Sequence, residues 1–67
     1  MTAKALLKLM RSLGCEQIDQ RGSHVKMRAK GHCQTSVPVH PGETLGIGLM
    51  NKIEADMEHC LGEGWIK

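Results

Sequence analysis

The chain has 67 residues, room for one domain, near the roughly 70–80 residues below which a hydrophobic core alone struggles to hold a fold. Its only aromatic is Trp65, so the core must be built from Leu, Ile, Val and Met, and five methionines make it plastic. No apolar run approaches the ~18 residues of a membrane span, and Thr2-Ala3-Lys4 leads into an amphipathic helix rather than a signal peptide, so the expected compartment is the cytoplasm.

Cys15, Cys33 and Cys60 are odd in number, widely spaced and without a CxxC pair. The expectation is three reduced, partly buried thiols. The net charge of +2 conceals a polarised chain. Residues 1–33 carry seven Lys or Arg against Glu16 and Asp19, a net +5, while residues 34–67 carry Lys52 and Lys67 against five acids, a net −3. Such asymmetry permits an anionic partner on one side.

Residues 3–13 are expected to be helical. Leu6, Leu9, Met10 and Leu13 recur at i, i+3, i+4 and i+7, with Thr2 as N-cap and Gly14 as the stop. Lys4, Lys8 and Arg11 fall on outward positions, either a reach toward a phosphate backbone or a solvated face. Residues 15–21 are a polar first strand with Ile18 as its clearest apolar residue. Gly22 and Ser23 turn into a second strand over 24–28, and 29–32 turn again into a third over 33–40. Pro38, which cannot donate to a ladder, argues for a sheet edge.

Pro41-Gly42-Glu43-Thr44 is a loop. Residues 45–61 form a second helix, ragged at Gly46 and Gly48, with Met50, Ile53, Met57 and Leu61 inward and Glu54, Asp56 and Glu58 outward. Gly62-Glu63-Gly64 ends it. Trp65 and Ile66 either fold back over the core or offer a partner-facing anchor. The order helix, three strands, helix is an α+β arrangement in which both helices cover one face of a three-stranded antiparallel meander and leave the other open.

On that open face the period-2 alternation places His24, Lys26 and Arg28 beside Ser36, Pro38 and His40, with Val25 and Met27 inward. Leu6-Leu7-Lys8 through Leu13-Gly14, then Gln20-Arg21-Gly22-Ser23-His24, then Val37-Pro38-Val39-His40-Pro41-Gly42 resemble the HicA family of toxin ribonucleases, over nearly the whole chain. The resemblance implies a fold like a double-stranded-RNA-binding domain, metal-free cleavage of mRNA, and neutralisation by a HicB antitoxin that covers the active face. It also implies that the catalytic histidine is His24. The chain departs from the family pattern at Cys15, where an aromatic is usual, at Asp19, where a basic residue is common, and at the pair Gly46 and Gly48.

RNA carries its own nucleophile, the 2′-hydroxyl, so its cleavage needs a base for that proton and cations for the charged phosphorane. An imidazole, with an ordinary pKa near ~6.5, suits the first task, and such proton transfer is worth about 10²- to 10⁴-fold. Arg21, Lys26 and Arg28 are the expected phosphate holders, and the backbone around Gly22 and Ser23 the expected extra donors. His40 is a further candidate whose role is open: second acid, RNA contact or loop hydrogen bond. His32-Cys33 and His59-Cys60 invite a zinc reading, but their ligands lack the usual pairing two to four residues apart, so no metal and no cofactor is expected. The competing expectation is a non-catalytic module of the same fold that binds RNA or protein. Against duplex RNA stands the second helix start, which has only Lys52 nearby.

Overall fold

The computed structural model describes residues 1–40 and 42–66; Pro41, part of the expected loop and of the family-like string, and Lys67 lie outside the described residues. Helix α1 spans Ala3–Ser12, strands β1 Glu16–Arg21, β2 His24–Arg28 and β3 Gln34–Pro38, and helix α2 Ile47–Leu61. The strands form one antiparallel sheet in the order β1-β2-β3. The expected α+β order α-β-β-β-α is therefore the observed one, and the fold is consistent with a double-stranded-RNA-binding domain. Pro38 does sit on an edge strand.

Helix α1 starts where the Thr2 Oγ1 accepts the Ala5 N–H at 3.1 Å. It stops where Gly14, at φ +91°, turns the chain so that the Gly14 N–H reaches the Arg11 carbonyl and the Cys15 N–H the Met10 carbonyl. Its buried stripe is Ala3, Leu6, Leu7 and Met10, not the expected Leu6, Leu9, Met10 and Leu13; Leu13 is 44% exposed. The two stripes share Leu6 and Met10, and packing selects the one facing β3. Helix α2 begins at Ile47 rather than at residue 45, because the Leu45 N–H is held by the Met1 carbonyl at 2.8 Å in extended chain.

One core joins both helices to the inner face of the sheet: Leu6, Leu7 and Met10 of α1, Val25, Met27 and Val37 of the strands, and Ile53 and Met57 of α2. It is aliphatic and methionine-rich, as composition required. Strand β1 contributes nothing to it. All six of its residues are exposed, and Ile18, the apolar residue assigned to it, is 37% exposed beside a bulge between Gln17 and Asp19.

Two expectations about the second half are corrected. Cys33 and Cys60 are not free thiols but a disulfide, with Cα atoms 6.1 Å apart. The fold brings the residue preceding β3 against the end of α2 across 27 positions, a meeting that no local spacing encodes. Cys15 alone is free, and it is buried. Glu54 does not lie on the outer face of α2: it is half-buried, and its Oε2 is sealed without a hydrogen-bond partner among the described residues. Beside it Trp65 folds back on the core and donates its Nε1–H to the Glu54 carbonyl at 3.0 Å, the first of its two expected alternatives.

Candidate active site

The turn between β1 and β2 fixes the position of His24. Arg21 and His24 close the pairing of the two strands, leaving Gly22 and Ser23 as a two-residue hairpin loop. Gly22 takes φ +57°, while Ser23 keeps a negative φ. That combination matches a type II′ turn, which calls for glycine at its first central position and matches the right-handed twist of the strands. The Ser23 carbonyl accepts the Val39 N–H at 2.6 Å, tying the loop to the chain beyond β3, and the Gly22 carbonyl accepts from the Gln20 side chain at 3.2 Å.

From this anchored start β2 alternates strictly. His24, Lys26 and Arg28 are exposed, Val25 and Met27 buried. Cross-strand neighbours share a face, so His24 stands between Arg21 and Pro38, Lys26 between Asp19 and Ser36, and Arg28 between Glu16 and Gln34. Six of these residues or their neighbours, Asp19, Gln20, Arg21, His24, Lys26 and Ser36, line one open depression of about 360 Å³.

Of the residues expected to act together, the structure gathers Arg21, His24 and Lys26, next to Gly22 and Ser23. Arg28 lies two residues further along the same face and lines a separate depression with Glu16 and Lys30. His40 is not in the His24 depression; it borders two others, formed with the start of α1 and with the loop before α2. Asp19 is a member of the site that sequence reasoning did not assign to it. The bulge between Gln17 and Asp19 shifts the β1 register so that Asp19 pairs with Lys26, and its Oδ2 lies 3.5 Å from the Arg21 Nε. Both side chains are well exposed, so the ion pair is weak and screened by salt. Its departure from the family pattern was the signal already present in the sequence.

The site thus offers an exposed imidazole, a guanidinium and an ammonium on one tethered hairpin, with one carboxylate tempering the charge. Among the described residues no helix is long and apolar enough to cross a membrane.

This is a small α+β domain with a histidine and cations on the uncovered face of its sheet. The family model described as the HicA toxin of bacterial toxin-antitoxin matches residues 3–59, and the chain belongs to that family. It is a toxin-family protein whose membership implies an antitoxin partner. No curated protein and no solved structure matches it.

Proposed function

We propose that the chain is the toxin of a toxin-antitoxin pair and acts as a metal-independent endoribonuclease on mRNA. His24 takes the proton of a ribose 2′-hydroxyl. The freed oxygen attacks the adjacent phosphorus, the bond from phosphorus to the 5′-oxygen breaks, and that oxygen takes a proton from solvent, to which the depression is open. The products are a 2′,3′-cyclic phosphate and a 5′-hydroxyl. Arg21 and Lys26 hold the scissile phosphate and offset the charge that grows on it, and Arg28 holds a neighbouring one. Gly22 and Ser23 set the angle at which the imidazole leaves the sheet.

The observation that carries this reading is the exposed His24 ring between Arg21 and Pro38 on the open face, in a chain of the HicA toxin family. The partner is a HicB-like antitoxin that covers this face, and the compartment is the cytoplasm, where mRNA is translated. Incubating the purified protein with single-stranded RNA in EDTA tests the chemistry. Cyclic phosphate ends are expected; cleavage only after adding a divalent metal contradicts the mechanism.

A further inference from the structure

Around the β3 edge from His24 lies a second recess, of about 450 Å³, that the proposed chemistry leaves unused. Its aliphatic lining comes from buried Ala3 and Leu7 of α1 and half-buried Val39. Lys4 and Arg11 border it; with Leu7 they fall at i, i+3 and i+7 of one helix face, the two cations about 10 Å apart along an axis rising 1.5 Å per residue. His40 and Glu43 complete the lining.

The walls are tied together. The Glu43 N–H donates to the His40 carbonyl at 3.1 Å, the Leu45 N–H to the Met1 carbonyl at 2.8 Å, and Thr2 bridges to Thr44. The recess is separate from the His24 depression but reached from it along the end of β3. Pro38 is the cross-strand partner of His24, and Pro38 and His40 border one shared depression. At about 3.3 Å per extended residue, His40 lies about 7 Å along the chain from Pro38.

We infer that this recess is a nucleobase subsite of the same RNA site, displaced from the scissile phosphate by the width of the β3 edge. The inference rests on the ribonuclease reading. The base lies on the aliphatic floor against the His40 imidazole, as splayed bases of single-stranded RNA do on histidine and aromatic rings. Lys4 and Arg11 hold the phosphates on either side of it. Glu43 explains why a base fits better than bare backbone: a carboxylate repels phosphate, but it accepts a hydrogen bond from an exocyclic amino group. It equally repels an acidic peptide, the other occupant that two cations would suit. Uracil has no exocyclic amino group, so the subsite prefers adenine, cytosine or guanine over uracil at one position removed from the cut.

Binding of a labelled 12-nucleotide single-stranded RNA to the His24→Ala protein, which leaves the RNA whole, supplies the first test. Adding Lys4→Gln and Arg11→Gln is expected to weaken binding at least tenfold and to lower the salt slope by about 1.4, two phosphates at ~0.7 each. Lys52→Gln, remote from the recess, serves as the charge control. The second test maps cuts in a randomised RNA: Glu43→Gln in the otherwise unaltered protein is expected to change base preference at a single position away from the cut. If the unaltered protein cuts RNA while both tests show no change, the subsite is overturned and the ribonuclease reading stands. If the unaltered, folded protein does not cut, both fall. If the Lys4 and Arg11 changes spare RNA binding but weaken antitoxin binding, the recess belongs to the protein partner and the subsite is overturned.

Discussion

The Thr35 hydroxyl, buried on the inner face of β3, donates to the Asp56 carboxylate on α2 at 2.9 Å, and Lys52 reaches the same oxygen at 3.1 Å. This is how the sheet that carries His24 is locked to the helix behind it. Removing only the acceptor leaves a buried hydroxyl unpaired, which costs about 1–3 kcal/mol. Asp56→Ala is therefore expected to lower the urea midpoint more than Thr35→Val, which replaces the hydroxyl by a methyl of similar shape. Equal shifts for the two would contradict a buried hydrogen bond at this position.

The Cys33–Cys60 bond closes a loop over 27 positions and fastens the residue before β3 to the last turn of α2. Restricting the unfolded chain by a loop of that length is worth about 3–4 kcal/mol on the chain-entropy model. Thermal unfolding with and without dithiothreitol checks this: the reduced protein should melt markedly lower. In a compartment that keeps thiols reduced, the protein would show the lower stability.

Asp19 competes with RNA phosphate for Arg21. Asp19→Asn is expected to tighten single-stranded RNA binding a few-fold at low salt, in keeping with ~0.2–1 kcal/mol for an exposed pair, and the gain should fade as salt rises. Fluorescence anisotropy across a salt series measures both. A loss of affinity would mean that Asp19 contacts the RNA directly.

Burial pushes the Cys15 thiol above its ordinary value of 9.0, because the thiolate would have to shed its hydration. In the folded protein the thiol should therefore react slowly with iodoacetamide near neutral pH and quickly after denaturation. The sign of the linkage follows. The folded state holds this proton more tightly than the unfolded chain, so stability is fully present below about pH 9 and declines as pH rises through and beyond that value. Cys15→Ala should remove that alkaline decline while costing some packing.

Much of the architecture was legible because β2 has an unambiguous pattern: Val25 and Met27 inward, three polar residues outward, and a glycine turn before them. The face of His24 followed from that alternation alone. What escaped was long-range or degenerate. Helix α1 has two overlapping apolar stripes, and only packing against the rest of the core chooses Leu7 over Leu9 and Leu13. The polar β1 does not specify its own register, so the bulge that turns Asp19 toward Lys26 carries no sequence mark. The apolar–polar alternation runs on to His40, but ladder pairing ends at Pro38 with one further bond at Val39, and His40 lines the recesses beside α1 and the following loop.

The account stands or falls on the imidazole of His24. Cleavage of a defined single-stranded RNA in EDTA, compared between the unaltered protein and His24→Ala with folding checked by circular dichroism, addresses it directly. The predicted result is cutting by the first and a loss of at least about 10²-fold in the second, with antitoxin binding retained. Equal cutting by both proteins would contradict the assignment of the base, and a folded, unaltered protein that leaves RNA intact would contradict the ribonuclease itself.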